Sequence, residues 1–342
     1  MSDLAIGTED HLESLLSDPT DAVIEVLSRL QGDVILLGVA GKMGPTIARM
    51  AKRASDAGGV HRRVIGVSRF SAGGLEALQS HGVDTICCDL RNEEDVSRLP
   101  DAANVVFLAG RKFGSTGGEA ETWAMNCYVP TLVCRKYRGS RIVALSTGNV
   151  YGLVPVDRGG SREGDKPRPE GEYAMSCLGR ERLFEYFSRE FGTQTTLIRL
   201  NYACELRYGV LVDLALQIQA GKAIDLCMGY LNTIWQGDAC AMALQALDHV
   251  AVPPRVLNVT GAELLSVRDV CERLGRLMKT PVRFTGTEST TALLSDARCA
   301  QELMGCPRVS ADQLIRWVAD WVARGGKNLN KPTHFESRDG KY

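Results

Sequence analysis

The heptapeptide G-V-A-G-K-M-G at residues 38–44 constrains the fold of this chain more than any other feature. An apolar run at 33–38 predicts a buried strand directly before it, and residues 45–54 have the pattern of a helix directly after it. Glycines at such a junction allow a tight turn and let backbone N–H groups approach a pyrophosphate at the helix N-terminus. The pattern therefore predicts a dinucleotide site in the first βαβ unit, contacted by Gly38, Gly41, Lys42, Met43 and Gly44.

Short apolar segments alternate with longer amphipathic ones as far as residue 200. This alternation is typical of βαβ units and a parallel sheet. The predicted fold class is therefore α/β, with a Rossmann-type doubly wound parallel sheet. Strands are predicted at 33–38, 63–67, 83–89, 104–109, 141–146 and 195–200, and helices at 45–54, 74–80, 119–138 and 172–191.

The alternation weakens after residue 200, which predicts a second and smaller unit. A strand at 255–259 is expected to rejoin the main sheet. The dinucleotide-binding domain is therefore assigned to residues 32–200 together with about 237–262. Residues 201–236 and 263–326 are assigned to a small C-terminal substrate lobe, with helices at 210–220, 266–278 and 311–323.

Two terminal segments lie outside these units. Residues 1–31 are predicted to form a helical extension of two short helices, with Thr8 and Thr20 as N-caps. Residues 327–342 are polar and are predicted to form an extended or mobile tail.

Composition and charge narrow the class of protein. The 40 basic and 41 acidic residues give a net charge of -1, which offers no electrostatic reason to bind nucleic acid or an anionic membrane. The eleven cysteines are an odd, scattered set without a C-x-x-C pair, which favours a reducing compartment. No signal peptide is visible, and no apolar run approaches the roughly 20 residues that span a bilayer. We therefore predict a cytoplasmic protein that binds small molecules and no metal.

The end of the second predicted strand bears on the choice of cofactor. An acidic residue there usually binds the adenosine ribose of NAD, whereas this chain has Ser68 and Arg69. Arg69 could pair with a 2′-phosphate, so NADP(H) is favoured and NAD(H) remains possible; a solvated surface arginine is the other interpretation. Asp89 and Leu90 are expected at the adenine. The remaining cofactor contacts are assigned to Leu108, Ala109, Gly110 and Asn201.

Three further motifs follow in order. The fifth predicted strand ends in S-T-G-N-V-Y-G at 146–152, a helix opens with Y-A-M-S-C-L-G-R-E at 173–181, and I-R-L-N-Y follows at 198–202. With these motifs, Asn126, Asp238 and the D-A-R run at 296–298, the chain resembles the extended short-chain dehydrogenase/reductases, the NAD-dependent epimerase/dehydratase family. The resemblance runs from about Gly32 to Gly325.

The resemblance implies roles for individual residues. Thr147 would bond the substrate oxygen, and Tyr173 would move a proton while hydride passes to or from the nicotinamide. Asn126 would order a water in a proton relay, or would only bond a neighbouring loop. Asn149 and Tyr151 would line the site or shape the strand-end turn, and Trp235 would stack on substrate or pack between the lobes. The helices at 119–138 and 172–191 would pair across a homodimer interface.

The sequence departs from the family pattern at Cys177, where family members have a lysine that holds the ribose and lowers the tyrosine pKa. A free tyrosine titrates near pH 10 and is a poor base at neutral pH without a nearby cation. Three interpretations remain. In the first, the missing positive charge is supplied by another cation, either Lys112, which is favoured, or Arg180. In the second, Cys177 is itself a reactive thiol. In the third, Cys177 only fills buried space in a catalytically weak protein.

The substrate is less constrained by the sequence. Family members that act on nucleotide sugars carry an arginine for the pyrophosphate before the late aspartate, and the stretch 229–238 has no basic residue. Arg207 is the nearest alternative. A free sugar, sugar acid or lactone is therefore favoured over a nucleotide sugar.

Two hypotheses of function follow. The first is NAD(P)-dependent oxidation or epimerisation of a carbohydrate-like alcohol. The second is a weakly active or inactive dinucleotide-binding protein that serves as a redox sensor or interaction module.

Overall fold

The computed structural model describes residues 6–341, and within them a seven-stranded parallel sheet forms the centre of the molecule. The strands are β1 (Val34–Leu37), β2 (Val64–Ser68), β3 (Asp84–Cys87), β4 (Asn104–Phe107), β5 (Arg141–Thr147), β6 (Thr195–Leu200) and β7 (Arg255–Val259). Their spatial order is β7-β6-β5-β4-β1-β2-β3. This order confirms the predicted Rossmann-type fold, and the parallel pairing of β7 with β6 confirms the predicted return of 255–259 to the sheet.

Helices cover both faces of the sheet. They are α1 (Glu9–Leu16), α2 (Asp21–Arg29), α3 (Gly44–Ala57), α4 (Leu75–Gln79), α5 (Glu93–Ser97), α6 (Glu119–Trp123), α7 (Val129–Lys136), α8 (Gly171–Phe191), α9 (Val210–Gln219), α10 (Gln236–Gln245), α11 (Val267–Met278), α12 (Arg298–Met304) and α13 (Ala311–Ala323). None of the helices within residues 6–341 is long and apolar enough to span a membrane.

The apolar strands are explained by burial on both faces. In β1, Val34 and Leu36 pack with α2, α3 and α10, whereas Ile35 and Leu37 face the opposite side and pack with α7 and α8. All four side chains are fully buried. A strand covered on both faces loses the apolar–polar alternation of a half-exposed strand, which is why β1 is a continuous apolar run.

The smaller lobe has a core of its own. Helices α9, α11 and α13 pack together around residues such as Leu214, Leu274 and Val318, which are completely buried. Two-stranded pairings between 223–225 and 283–285, and between 230–231 and 265–266, complete the lobe. The lobe lies beyond the carboxyl end of β6, so the chain leaves the sheet where a doubly wound fold binds its ligands.

The N-terminal extension joins the two cores. Thr8 and Thr20 accept hydrogen bonds from the backbone N–H groups of His11 and Val23, each at 3.1 Å, which confirms both predicted N-caps. Helix α1 buries Leu12 in the core of the lobe, and α2 packs against α3 and α10 in the core beside the sheet.

Two features of the fold differ from the sequence predictions. The helix predicted at 119–138 is divided into α6 and α7 by a π-helical turn at Ala124–Tyr128, next to Pro130, whose missing N–H disturbs the regular ladder. Helices α5, α10 and α12 were not predicted. All ten residues of α10 are buried, so that helix has no polar face to produce a 3.6-residue period.

Candidate functional site

The turn between β1 and α3 has the geometry of a dinucleotide loop. Gly38 has φ +91°, and a Cβ there would lie 2.7 Å from the backbone nitrogen of Ala109. A Cβ on Gly44 would collide with the carbonyl of Val39, and one on Gly110 would meet the guanidinium of Arg180. Side chains are therefore excluded on both sides of the loop. The bare backbone and the N-terminus of α3 fit a pyrophosphate, so the residues present fit a nicotinamide dinucleotide.

A cavity of about 240 Å³ on one side of this loop is suited to the adenosine half of the cofactor. Asp89 is bound to Arg91, with 2.7 Å between Oδ2 and the guanidinium, so its carboxylate is already engaged. Arg69 is exposed at the cavity edge. The cavity collects most of the cofactor residues assigned from the sequence, namely Gly38, Gly41, Ser68, Arg69, Asp89, Leu90, Leu108, Ala109 and Gly110.

A second cavity of about 260 Å³ lies on the other side of the loop and is here called the reaction cavity. It brings Thr147 at the end of β5 and Tyr173 at the start of α8 together with Lys112 from the loop after β4. Asn149 and Asn201 line it as well, with Lys42, Met43 and Gly44 of the glycine loop. The cavity thus unites three of the residues predicted for proton transfer, two from the ends of strands and one from the start of a helix.

Tyr173 has an unfavourable environment for ionisation. Burial raises the pKa of its phenol well above the ordinary value, and the neighbouring Cys177 adds to the increase. The positive charge of Arg180 and an interaction with Thr147 partly oppose it. A tyrosine with a raised pKa is a proton donor at neutral pH, and it needs a positive charge nearby before it can accept a proton.

Lys112 is the lysine on the tyrosine side of the reaction cavity. Its Nζ lies 5.9 Å from the centroid of the Tyr173 ring and donates a hydrogen bond to the carbonyl of Thr333 at 3.2 Å. Burial lowers the pKa of Lys112 to about 8, with the Cys177 sulfur partly opposing the shift. The side chain is therefore charged at neutral pH and lies beside the Tyr173 ring.

Cys177 does not have the properties of a reactive thiol. It is fully buried under Tyr173, and burial raises the pKa of its sulfur, so the thiolate is disfavoured. The interpretation of Cys177 as a catalytic thiol is therefore wrong, and the residue fills space beneath the tyrosine ring together with Val150.

Arg180 and Asn126 hold the loop that carries Lys112. Arg180 donates to the carbonyl of Leu145 at 2.8 Å and to Oδ1 of Asn126. Asn126 accepts from the backbone N–H of Arg111 at 3.0 Å and donates to Ser176 at 2.8 Å. Neither side chain lines the reaction cavity. The proton-relay role predicted for Asn126 is thus not supported, because its amide is used to fix the loop after β4.

Two residues predicted to contact substrate are engaged elsewhere. Tyr151 is buried; its hydroxyl donates to Asn258 at 2.8 Å and accepts from Arg199 at 2.7 Å. Trp235 is buried in the lobe core, with its ring 5.4 Å from that of Trp317. Neither residue lines the reaction cavity, so the substrate role is corrected for both, and Trp235 packs in the core as the other interpretation had it.

The substrate contact predicted for Arg207 is also corrected, because its charge is already paired. Its guanidinium lies 2.6 Å from Glu13, 3.1 Å from Glu205 and 3.6 Å from Glu9. Three carboxylates neutralise this arginine, and it does not line the reaction cavity. It therefore joins α1 to the lobe and does not bind a substrate anion.

Several cavity residues were missed by sequence reasoning. Tyr202 and Tyr208 follow β6, and their position just after a strand end was a usable signal. Tyr202 has φ +44°, a backbone strain that often accompanies functional sites. Lys42 was assigned to the cofactor, but its Nζ lies 3.3 Å from the Tyr208 ring centroid and faces the reaction cavity. No feature of the sequence indicated that Thr333, in the tail, lines the reaction cavity.

Comparisons with known proteins agree with this geometry. The profile of the NAD dependent epimerase/dehydratase family matches residues 34–259. The chain belongs to this family. It is therefore an NAD-dependent oxidoreductase of the epimerase/dehydratase type, and an enzyme. No curated protein sequence matches the chain.

Solved structures of epimerases and dehydratases share the fold. UDP-glucose 4-epimerase from Thermotoga maritima has 18% identity and a TM-score of 0.69, covering 86% of this chain and 99% of its own. UDP-glucuronic acid 4-epimerase from Bacillus cereus has 20% identity and a TM-score of 0.71, covering 85% and 99%. The dTDP-glucose 4,6-dehydratase DesIV from Streptomyces venezuelae has 18% identity and a TM-score of 0.71, covering 85% and 97%. The last two were solved with NAD.

The cavities contain no evident metal site. Within residues 6–341, no group of three or more His, Cys, Asp or Glu side chains is placed to hold a metal ion.

Proposed function

We propose that this member of the family oxidises or epimerises a small carbohydrate that carries a carboxylate, such as a free sugar acid. The supporting observation is the charge of the reaction cavity. Two lysines, Lys42 and Lys112, line a space of about 260 Å³, and no acidic side chain among the described residues lines it. A bound carboxylate would offset the cost of holding two ammonium groups in this partly buried space.

The two lysines have different tasks in this proposal. Lys112 lies on the Tyr173 side of the cavity, whereas Lys42 extends from the glycine loop and donates to the carbonyl of Ala203 at 3.4 Å. Burial lowers the pKa of Lys42 to about 8, so its charge is retained at neutral pH. Lys42 would hold the substrate carboxylate, and Lys112 would stabilise the tyrosine phenolate.

Nucleotide sugars are the alternative substrates, because UDP-glucose and UDP-glucuronic acid occur in the solved structures of similar fold. A pyrophosphate needs paired cations. Arg207 is neutralised by three carboxylates, and the stretch 229–238 contributes no basic residue. These observations favour a free sugar acid over a nucleotide sugar.

The chain's own groups account for proton movement. A nicotinamide dinucleotide in the two cavities would accept or donate hydride. Thr147 Oγ1, which also bonds Asn149 Oδ1 at 2.9 Å, would hydrogen-bond the reacting oxygen. Tyr173 would accept the hydroxyl proton as the carbon loses hydride, and would return it in the reverse direction. Lys112 would lower the free energy of the phenolate in both directions.

The proposed substrate is tested by comparing glucuronic acid, glucose and UDP-glucuronic acid with cofactor-loaded protein. We expect kcat/KM for the acid to exceed that for the neutral sugar by about 100-fold, roughly 2.7 kcal/mol of transition-state stabilisation. Lys42→Met should remove this difference, because it deletes the charge that holds the carboxylate. Lys52→Met, in the exposed Lys52–Asp56 pair of α3, is the matched control. Faster turnover of the UDP-sugar than of the free acid would instead establish a nucleotide-sugar enzyme.

The role of Lys112 predicts a pH dependence. Because the pKa of Lys112 is lowered to about 8, its charge is present below that pH and is lost as the pH rises through it. Activity should therefore decline above about pH 8. Lys112→Met should lower kcat by about 100-fold at pH 7 and leave cofactor Kd within about threefold. Lys112→Arg should retain activity and shift the decline to higher pH, because guanidinium stays charged. Equal kcat in wild type and Lys112→Met would refute the role.

We infer that NADP(H) is preferred over NAD(H). Arg69 supports this preference, since it is exposed at the edge of the adenosine cavity, and no acidic residue precedes Glu76 after β2. Arg69→Ala should raise the Kd for NADPH at least tenfold and leave that for NADH unchanged, as measured by cofactor fluorescence. Arg98→Ala, which removes an exposed arginine paired with Glu94, should change neither constant. Tighter binding of NADH than of NADPH by the wild type would show that Arg69 is only a surface residue.

We also propose a homodimer through α6, α7 and α8. Large apolar side chains are exposed on this surface, including Tyr128, Met175 and Tyr186, the last with 58% exposure. Met175 and Tyr186 are eleven residues apart on α8, three helical turns, and so share a face.

Sedimentation should therefore give a mass close to twice that of the chain. Replacing both Met175 and Tyr186 with Asp should yield a monomer, because two charges would be buried in the interface. Leu277→Asp, at an apolar position on α11 with 46% exposure, should leave the dimer intact. A monomeric wild type would exclude this assembly.

A further inference from the structure

The C-terminal segment 327–341, here called the tail, is seated on the lobe and is not a free extension. Phe335 is 3% exposed and belongs to the lobe core. The guanidinium of Arg338 donates to the carbonyl of Thr291 at 2.9 Å and to its hydroxyl at 2.6 Å. The backbone N–H of Leu329 donates to the carbonyl of Arg207 at 3.0 Å. These contacts seat the tail on the lobe, and its described residues form neither helix nor strand.

The middle of the tail forms part of the wall of the reaction cavity. Thr333 lines the cavity and is held by Asp213 of α9, whose Oδ2 accepts from the backbone N–H at 2.7 Å and from the hydroxyl at 2.6 Å. On its other side, the carbonyl of Thr333 accepts from Lys112 at 3.2 Å. The tail thus crosses from the lobe to the amine placed beside Tyr173.

The far end of the tail reaches the dinucleotide-binding domain. A Cβ on Gly340 or on Gly171 would collide with backbone of the other's segment, so the tail lies directly against the first residues of α8. Tyr173 is two residues further along this helix. The tail therefore spans the opening between the lobe and the helix that carries the predicted acid/base.

We propose that the tail is a movable cover of the reaction cavity, which opens to admit substrate and closes over it. This inference rests on the proposed function of the same cavity. A segment without regular secondary structure, anchored by one buried ring and a few hydrogen bonds, has a low free energy of local opening compared with the sheet. Closure would exclude water from the site and limit the substrate to a small ligand. Such a cover would therefore favour a free sugar acid over the larger nucleotide sugar.

The experiment measures access to Lys112 in the full-length protein without any turnover. The probe is pyridoxal 5′-phosphate, which forms an imine with a neutral amine and is then trapped by borohydride reduction; labelled Lys112 is quantified by peptide mass spectrometry. Reductive methylation by formaldehyde, a much smaller reagent, is measured in parallel. The ratio of the two rates reports access through the opening, because a change in the pKa of Lys112 affects both reactions.

Two variants loosen the tail at separate anchors. Phe335→Ala removes the buried ring, and Arg338→Ala removes the hydrogen bonds to Thr291 and to the carbonyl of Cys227 without emptying the core. Each should raise the pyridoxal-to-formaldehyde rate ratio at Lys112 at least tenfold. Lys331→Ala, at an exposed position of the tail, should leave it unchanged, and Lys136 on α7 is an internal reference for labelling. Circular dichroism confirms folding, and Arg338→Ala suffices should Phe335→Ala unfold the lobe.

The outcomes test the movable cover and the identity of the substrate independently. A ratio that is equal in the wild type and in a folded Arg338→Ala variant would overturn the cover. An increased ratio supports it even when no sugar acid is turned over, since that failure concerns only the identity of the substrate. Added glucuronic acid should lower the ratio in the wild type, and an increase on adding it would contradict closure over the ligand.

Discussion

The turn after β1 and the end of β4 approach so closely that only backbone fits between them. At Gly38 a Cβ would lie 2.7 Å from the nitrogen of Ala109, and at Gly110 a Cβ would meet Arg180. This contact lies at the point where the strand order reverses, with β1 between β4 and β2. The adenosine cavity and the reaction cavity open on opposite sides of the same loop, so their relative position depends on this one approach of two backbones.

The loop after β4 starts at this backbone contact and positions Lys112 beside Tyr173. Asn126 and Arg180 fix its backbone, and Lys112 extends from it toward Tyr173. A lysine on the tyrosine helix would occupy the place of Cys177, which here is a buried filler. Arg180, from behind the cavity wall, is the cation whose charge opposes the raised pKa of Tyr173, and Lys112 is proposed to add a second charge from the loop after β4. In the proposed function, the charge of the missing lysine would therefore come from a different part of the chain.

Segments outside the residues matched by the family profile contribute to the lobe core and to the reaction cavity. The match covers residues 34–259, yet α1 contributes Leu12 to the lobe core and Glu13 to the neutralisation of Arg207. At the other end, Phe335 enters the same core and Thr333 lines the reaction cavity. Both additions pack on the lobe, so the surface that would face substrate is shaped by residues that the family pattern does not describe.

The resemblance to the family implied that Thr147 and Tyr173 share one site. The residues alone predicted the parallel sheet, the glycine loop and both N-caps of the extension. These features depend on periodicity, on glycine conformations and on motifs within a few consecutive residues, which are readable without knowledge of distant contacts. Continuous burial concealed α10, because a helix covered on every side has no amphipathic period.

Which polar side chains face the cavity depends on tertiary contacts. Arg207, Tyr151 and Asn126 have suitable chemistry, but ion pairs and hydrogen bonds with residues far away in the sequence hold them elsewhere. Lys42 and Thr333 enter the cavity for the same reason, through contacts with Tyr208 and Asp213. Local sequence encodes backbone conformation, whereas the partner of a charged or polar group depends on which distant segments the fold brings beside it.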